Sequence, residues 1–265
     1  MSDEAGCAED TEDDKHQTDS EDSAHSAERP LPQSPTSRLS VKHVMEVIQS
    51  FDEYKRYLVK SIGFGGMLDL QLRQKLNLKF SAWTMSKVST RRRAIVLAEN
   101  KILKFWLEDV HKIFGIPCGH RNIRGRDGHI NPEAIKFINT TLGMDKKGVH
   151  SLGAAEDFLK RDISESSSKL EKDCFQIAFV IFFMGHVLAP NTKQDYGSID
   201  FWGALADTEN IDQFNWCEYV LQCMLAGVRR LKNDIRSGNM ATSLVGCHLF
   251  LQVIMHMHSE FQQCS

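Results

Sequence analysis

The chain contains 265 residues, of which 42% are hydrophobic and 25% are charged, a composition typical of a globular protein that buries a substantial core. Its net charge of −3 hides an asymmetry: the first 30 residues contain eleven acidic and two basic side chains, which leaves residues 31–265 with a net charge of +6. Such an acidic segment, poor in apolar residues, predicts disorder. With the Pro/Ser-rich stretch that follows, the disordered tail and linker are predicted to span residues 1–40, ahead of one folded domain at residues 41–265.

The seven cysteines are scattered without paired spacing, and the N-terminus lacks the apolar stretch of a signal peptide. This usage excludes a disulfide-stabilised secreted domain and favours reduced core thiols in an intracellular protein. The longest apolar run, residues 174–190, is interrupted by Gln176, Gly185 and His186 and is shorter than a membrane span. We therefore expect no membrane insertion.

The first folded segment is predicted to be a single amphipathic helix. Apolar residues recur at helical spacing from Ser40, a suitable N-cap, to Lys60. The glycine cluster at residues 63–66 then predicts a turn, because a phosphate-binding loop would need a preceding strand and a following Lys-Ser/Thr pair. Two short helices are predicted at residues 68–76 and 82–88.

The middle of the chain contains the one predicted β-structure. Two β-prone runs, residues 95–97 and 102–105, flank the Asn-containing turn at residues 99–101 and predict a small hairpin. A short helix is predicted next, at residues 107–114, because Gly115 follows it as a stop signal.

Two further helices are predicted before the C-terminal half. Asn131 as the cap and Pro132 at the first helical position predict a helix that ends near Leu142. Ser151 is a suitable cap for the next helix, which extends to Arg161.

The C-terminal half contains three long apolar segments. Residues 169–188 are apolar nearly all round, which predicts a central core helix. A short helix at residues 199–206, a long amphipathic helix that follows Thr208 and a last helix at residues 242–261 complete the prediction. The fold class is mainly α: a multi-helix globular domain with one small β-hairpin and a disordered acidic N-terminal tail.

Cys174 is the candidate nucleophile. The sequence Asp173-Cys174-Phe175 superficially resembles the Asp-Cys-Gly around the nucleophile of Ulp1-type cysteine proteases. Such an enzyme also needs a histidine base, an orienting acid and an oxyanion donor. No upstream Gln or His-Trp pair accompanies Cys174, and phenylalanine replaces the glycine. We therefore predict a core thiol, no catalytic residues and no enzyme activity.

Two groups of cysteine and histidine residues are candidate metal ligands. The first lies in the last predicted helix and comprises Cys247, His248, His256 and His258. These four cannot all face one ion, since only residues three or four apart share a helix face. The second lies in the turn-rich loop and comprises Cys118, His120 and His129. Its spacing matches no common zinc pattern, so the sequence predicts neither a metal site nor a cofactor.

Three basic clusters are candidate interaction sites. They comprise Arg91, Arg92 and Arg93; Arg121, Arg124 and Arg126; and Arg229 and Arg230. Phosphate contacts need such charge, but solvated surface arginines give the same pattern, and no helix-turn-helix, RNA-recognition or zinc-finger motif accompanies them. These residues are predicted to contact a protein partner, with weak nucleic-acid binding as the alternative.

Five segments, taken together and in order, resemble a plant family. They are residues 64–68 (FGGML), 102–119 (ILKFWLEDVHKIFGIPCG), 182–190 (FFMGHVLAP), 214–221 (FNWCEYVL) and 246–252 (GCHLFLQ). This pattern resembles the transposon-related N-terminal domain that in grasses often precedes a Ulp1-type protease domain, and it is similar to the aminotransferase-like plant mobile domain. The resemblance covers most of residues 45–262.

The resemblance implies a mostly helical domain descended from mobile-element proteins. It implies no aminotransferase activity, since a pyridoxal-phosphate enzyme needs a Schiff-base lysine and a large α/β scaffold. We therefore expect a non-catalytic interaction module of a plant transposon-derived protein, either domesticated or fragmentary, that contacts its partner through the basic helix faces and residues 116–129. A nuclear location is favoured over a cytoplasmic one.

Two alternatives stay open. In the first, the chain is an accessory or inactive remnant of a Ulp1-like SUMO protease, with the catalytic domain supplied elsewhere. In the second, it is a weakly DNA- or chromatin-associated protein, an interpretation that rests on charge alone.

Overall fold

The computed structural model describes residues 30–70, 76–124, 132–239 and 242–263, with the side chains of the last helix described through His258. The fold is mainly helical with a small antiparallel sheet, as predicted. The acidic segment at residues 1–29 lies outside the described residues. The helices are α1 Val41–Gln49, α2 Glu53–Ser61, α3 Leu78–Ser86, α4 Leu107–Phe114, α5 Pro132–Thr141, α6 Met144–Lys147, α7 Leu152–Leu159, α8 Lys169–Phe183, α9 Trp216–Arg236 and α10 His248–Gln263. The strands are β1 Thr36–Ser37, β2 Val88–Ser89, β3 Ala94–Ala98, β4 Lys101–Lys104 and β5 Ser243–Leu244.

Helix α8 lies at the centre of the core. Residues 174–183 are all buried, in agreement with a helix that is hydrophobic nearly all round. Its start is fixed by a capping box, in which the side chains of Ser168 and Glu171 satisfy each other's backbone N–H groups. The Phe175 ring lies 5.4 Å from the Phe51 ring, which brings the α1–α2 segment onto α8.

The single helix predicted from Ser40 to Lys60 is wrong, because the chain forms α1 and α2 with a break at residues 50–52. Asp52 caps α2 by accepting a hydrogen bond from the Lys55 N–H (2.8 Å). The Arg56 guanidinium donates to the carbonyl oxygens of Ile48 (3.3 Å) and Phe51 (3.2 Å), which satisfies acceptors at the end of α1. The apolar spacing continues through Phe51, so the hydrophobic pattern alone does not reveal the break.

The predicted hairpin is present as β3 and β4, and β2 adds a third antiparallel strand. Val96 is paired with Ile102, and a register shift lies between Val96 and Ala98. The helix that precedes β2 is α3, which begins earlier than the predicted residue 82 because the Asn77 side chain caps its first turn.

A second, two-stranded sheet joins the start of the described chain to the segment just before the last helix. Strand β1 pairs in parallel with β5, Thr36 opposite Ser243 and Ser37 opposite Leu244. Leu39 is also buried, so residues 36–40 are packed where a free linker is predicted. The last helix begins at His248, not near Thr242, because β5 occupies the intervening residues.

The glycine cluster allows two backbones to approach closely. It forms a turn at Gly63 (φ +80°) and a 3-10 helix, Gly65–Asp69. Most of the helix predicted at residues 68–76 lies outside the described residues, since these leave out residues 71–75. A Cβ atom on Gly66 would lie 2.6 Å from the Cα of Gly115, the left-handed residue that ends α4. The cluster therefore serves packing between the two turns.

The remaining predicted helices differ from the structure at their ends or in helix type. Helices α4, α5 and α7 occupy the predicted positions, although the proposed cap Asn131 lies outside the described residues. The short helix near residue 200 is a 3-10 turn, Trp202–Leu205. Thr208 begins a separate 3-10 helix, so that α9 starts later and is capped by the side chain of Asn215.

Candidate functional site

Arg93 holds the three-stranded sheet against α9. Its guanidinium makes a bidentate pair with the Glu218 carboxylate, with nitrogen-to-oxygen distances of 3.1 and 2.8 Å. Arg93 also has a left-handed backbone (φ +46°), a conformation that is uncommon outside glycine. Bidentate arginine–carboxylate pairs are geometrically specific, so Arg93 acts within the fold and is not available for a partner.

Arg121 and Arg124 also contact their own chain. The Arg121 guanidinium carbon lies 4.3 Å from the centre of the Phe214 ring. Arg124 pairs with Asp200 at 2.9 Å, and the same carboxylate accepts a hydrogen bond from the Tyr219 hydroxyl (2.7 Å). Both arginines therefore help to place residues 121–124 on α9. Arg126 lies outside the described residues.

The remaining predicted arginines face solvent. Arg91, Arg92, Arg229 and Arg230 are exposed. Among the described residues, no ion-pair partner is found for Arg91, Arg229 or Arg230. Among the described arginines predicted as interaction residues, Arg91, Arg229 and Arg230 therefore keep a charge that is accessible to a partner.

One end of the three-stranded sheet combines this charge with an exposed aromatic ring. Lys104 is paired with Ala94, and the Phe105 N–H donates to the Arg93 carbonyl oxygen (3.0 Å). This pairing brings the end of β4 to the turn that contains Arg91 and Arg92. Trp106 follows β4 and is 50% exposed, and Lys104 is exposed as well. We name Arg91, Arg92, Lys104 and Trp106 the sheet-end surface.

A separate cleft of about 300 Å³ contains a group of titratable side chains. His43 of α1 and Glu156 of α7 lie 2.9 Å apart, Nε2 to Oε2. The His186 ring lies 5.4 Å from the His43 ring, centroid to centroid. Arg38 and Asp195 also line the cleft. We name this group the histidine cleft.

The charge state of the histidine cleft follows from its surroundings. Burial, together with the proximity of His43, lowers the pKa of His186 to about 4, so the His186 imidazole is neutral at physiological pH. Although partial burial acts in the opposite direction, hydrogen bonds from Lys160 and His43 hold the pKa of Glu156 below its usual range. The cleft thus contains a carboxylate–imidazole pair suited to binding a polar ligand.

The backbone around the histidine cleft departs from regular geometry. His186 lies in a π-helical turn, Met184–Leu188, that extends α8, and such turns are frequent at functional sites. Asp195 has a φ of +48° and accepts hydrogen bonds from the Ser151 hydroxyl (2.7 Å) and the Gly153 N–H (2.6 Å). The sequence did not predict this cleft, because its residues come from four separate segments. The isolated histidines within apolar runs were the one sequence feature that pointed to it.

The candidate nucleophile Cys174 lies in the core. It is 1% exposed, and burial and the neighbouring Asp173 raise its pKa to about 11, so the thiol stays protonated at physiological pH. The Asp173 carboxylate accepts a hydrogen bond from the Thr208 hydroxyl (2.8 Å) and pairs with Lys169. No described histidine makes a hydrogen bond with Cys174.

The first group of candidate metal ligands is spread over α10. Cys247 and His248 are buried, whereas His256 and His258 are exposed. The His248 ring lies between two hydroxyl groups, with Ser37 Oγ 2.8 Å from Nε2 and Ser81 Oγ 2.8 Å from Nδ1. In this first group, His248 therefore connects β1, α3 and α10.

The second group of candidate ligands does not assemble as a set in the part of the chain described. His129 lies outside it, and His120 is exposed. Cys118 instead lies near His111 and Cys217, a cluster that sequence spacing did not reveal.

The fold and these surfaces define a mainly helical domain with a small β-sheet. Residues 37–252 match the model of a family described as Domain of unknown function (DUF8566). Because this match covers most of the chain, the chain belongs to that family. Neither a curated protein nor a solved structure matches the chain. Among the described helices, none combines the length and hydropathy that crossing a bilayer requires.

Proposed function

We propose that this chain is a non-catalytic interaction module of a plant transposon-derived protein that acts in the nucleus and binds an acidic segment of a protein partner at the sheet-end surface. The observation that carries this proposal is the half-exposed Trp106, which follows Phe105 where β4 is bonded to the turn that contains Arg91, and the charge of Arg91 has no ion-pair partner among the described residues. Tryptophan and arginine are the residues most enriched at the energetic centres of protein interfaces.

Trp106 is held in place by the backbone on both sides. Its N–H donates to the Asp109 carboxylate (2.8 Å) at the start of α4, and the preceding Phe105 is fully buried. A partner therefore meets a ring attached to a rigid segment, which lowers the conformational entropy lost on binding.

The state of the arginines favours Arg91 over Arg93 and over the cluster that contains Arg121 and Arg124. Binding an acidic side chain at Arg91 breaks no existing ion pair, whereas recruiting Arg93 or Arg124 would break the pairs with Glu218 and Asp200. A charge-assisted hydrogen bond is worth most when no internal partner has to be displaced.

Quantitative affinity capture from plant nuclear extract tests this function. The full chain is compared with W106A, with R91E and with Y57A, a control that removes another exposed aromatic ring (61% exposed) on α2. We expect one set of proteins to be lost with W106A and with R91E, roughly tenfold or more in occupancy, and retained with Y57A. Recovery of the same proteins in equal amounts with all four chains would contradict the proposal.

Weak DNA or chromatin association is the second candidate, and it is favoured by the same tryptophan. Bases stack on exposed aromatic rings while cations contact the phosphates, and Arg229 and Arg230 add exposed positive charge on α9. A titration of the full chain with a mixed-sequence oligonucleotide across salt concentrations tests it. A steep loss of affinity with salt that is reduced by R229E/R230E supports DNA binding, and no measurable affinity at low salt contradicts it.

The alternative of an accessory or inactive remnant of a Ulp1-like protease stays a prediction. Cys174 adds nothing in its favour, because its thiol is buried and protonated. A SUMO-conjugate cleavage assay on the purified chain would expose any protease activity, and activity abolished by C174A would contradict a non-catalytic module.

A further inference from the structure

Three side chains with metal-ligating atoms converge between α4 and α9. They are His111, Cys118 and Cys217, and one ligand atom from each lies within 4.8 Å of the others. His111 and Cys118 are exposed and Cys217 is buried, so the cluster opens to solvent on one side and ends in the core on the other. We name it the thiol–imidazole cluster.

Backbone hydrogen bonds fix the position of all three residues. Gly115 adopts a left-handed conformation (φ +57°) that ends α4 and turns the chain back. The Pro117 carbonyl oxygen then accepts hydrogen bonds from the N–H groups of Trp216 (3.1 Å) and Cys217 (3.3 Å), and Cys118 forms a β-bridge with Asn215. The loop that presents Cys118 is therefore attached directly to the start of α9.

The spacing of the ligand atoms suits a small tetrahedral ion. Zinc binds sulfur at about 2.3 Å and imidazole nitrogen at about 2.0–2.1 Å, which places ligand atoms about 3.5–3.8 Å apart around the ion. Atoms that already lie within 4.8 Å of one another reach this geometry with side-chain adjustments of about an ångström or less. Sulfur and imidazole nitrogen are also ligands that favour zinc, whereas calcium and magnesium favour oxygen ligands.

His111 has the supporting hydrogen bond typical of a metal ligand. Its Nδ1 lies 2.7 Å from the Ile116 carbonyl oxygen, and because a carbonyl oxygen only accepts, Nδ1 is the donor and Nε2 is the nitrogen that would bind the ion. Ligating histidines commonly donate their second ring N–H to a backbone carbonyl in this way. The hydrogen bond fixes the tautomer before any ion arrives.

Both thiols make long hydrogen bonds in the structure described. The exposed Cys118 thiol donates to the Leu107 carbonyl oxygen (3.7 Å), the buried Cys217 thiol donates to the Ile116 carbonyl oxygen (3.5 Å), and the two thiols also interact with each other. Burial raises the pKa of both thiols, and the nearby Glu108 carboxylate raises it further. A dication would reverse this balance, because a coordinated thiol loses its proton.

We propose that His111, Cys118 and Cys217 form a zinc site, a function that the family description does not assign. Binding releases one proton from each thiol, so that two thiolates and one neutral imidazole hold the ion and two protons pass to solvent. The three protein ligands leave the fourth position to water, as in other zinc sites with three protein ligands. The ion would join α4, the turn after it and α9 at one point.

Cobalt(II) titration of the full chain, reduced and freed of metal, tests the site. Cobalt bound by thiolates in a tetrahedral site gives a sulfur-to-metal charge-transfer absorption and strong visible bands, and zinc should displace it. We expect one equivalent of cobalt, with affinity lost in C118S and H111Q by more than the roughly 10–100-fold that loss of a supporting residue costs. C223S is the matched control, since Cys223 is a partly exposed thiol elsewhere on α9.

Three results would overturn the proposal. The first is the absence of a charge-transfer band in the wild-type chain, and the second is equal cobalt affinity in the wild type and C118S. The third is a Cys118–Cys217 disulfide that forms under mild oxidation while zinc is present at saturating concentration, since coordinated thiolates resist this pairing. Circular dichroism of C118S checks that the fold is intact, which is expected because Cys118 is exposed.

Discussion

Two buried tryptophans differ in a single hydrogen bond. Both Trp202 and Trp216 are fully buried, but the Trp216 Nε1–H donates to the Ile211 carbonyl oxygen (2.8 Å), whereas the Trp202 Nε1–H has no acceptor among the described residues. A buried N–H group without an acceptor lowers the free energy of unfolding, and a substitution that removes the N–H group removes this cost.

Replacement of each tryptophan by phenylalanine should therefore have unequal effects. Both variants lose apolar contacts, but W216F also removes the 2.8 Å hydrogen bond to the Ile211 carbonyl oxygen, which keeps only the longer bond from the Phe214 N–H (3.3 Å). We expect W216F to lower the free energy of unfolding by about 1–2 kcal/mol more than W202F does. Urea denaturation of the two variants measures this difference, and an equal or reversed order would contradict the assignment.

His248 makes stability depend on pH. Burial lowers its pKa to about 4 from 6.5, so between these two values the unfolded chain binds a proton that the folded chain does not. The free energy of unfolding should therefore fall as the pH drops from 6.5 to 4, by at most about 3 kcal/mol from this residue, and its contribution should level off below pH 4.

Urea denaturation at several pH values measures this dependence. The slope between pH 6.5 and 4 should be smaller in H248Q than in the wild type. H258Q, which alters an exposed histidine on the same helix, should keep the wild-type slope. An unchanged slope in H248Q would show that His248 is not the group responsible.

At the scale of elements, the two adjacent turns at Gly66 and Gly115 provide a matched pair of substitutions. A Cβ atom on Gly66 would lie 2.6 Å from the Phe114 carbonyl oxygen and from the Gly115 Cα, whereas one on Gly65 would meet only the flexible Lys60 side chain, at 3.1 Å. We expect G66A to lower the free energy of unfolding by about 1–3 kcal/mol and G65A to lower it less. Thermal unfolding of both variants checks the order, and equal melting temperatures would contradict the close approach.

Sequence patterns predicted the long elements and missed the short ones for physical reasons. The core helix α8 and the β3–β4 hairpin have strong hydrophobic or β-prone runs, so local composition suffices. The break before Asp52 preserves helical spacing, which conceals it. Strands β1 and β5 contain two residues each, too few for any periodicity, and they exist only because each pairs with the other.

At the scale of the whole molecule, charge is distributed unevenly between residues 1–29 and the rest of the chain. The acidic segment has a net charge of −9 and the remainder +6, so we predict that the segment competes with other anions for the basic surfaces. Deletion of residues 1–29 should raise the affinity for an oligonucleotide, most at low salt, where screening is weakest. Fluorescence anisotropy measures this affinity. The control is a full-length chain in which the acidic residues of the tail are replaced by Asn and Gln. If neither the deletion variant nor this control binds the oligonucleotide more tightly than the wild type, competition by the acidic segment of the same chain is contradicted.

The candidate sites could be predicted from sequence only in part. Exposed Arg91, Arg229 and Arg230 follow from composition, but the pairing of Arg93 with Glu218 depends on a contact across 125 positions of sequence. The histidine cleft and the thiol–imidazole cluster each combine segments that are distant in sequence, as with Cys118 and Cys217. The side chains of each group lie close together only in the folded chain, so no sequence motif of fixed spacing could have revealed them.

The pairing of β1 with β5 also determines when the domain can become complete during synthesis. The hydrogen bond between Ser37 and His248 connects residues 211 positions apart, so a nascent chain that still holds α10 inside the ribosome cannot form it. The residues that contact α10, among them Ser37 and the His248-contacting face of α3, therefore stay exposed to chaperones and to incorrect contacts until α10 has emerged. The pairing of β1 with β5 and the hydrogen bond between Ser37 and His248 therefore form late in synthesis. A premature stop before α10 would leave the hydrophobic core incomplete, so the shortened chain should not fold into a working domain.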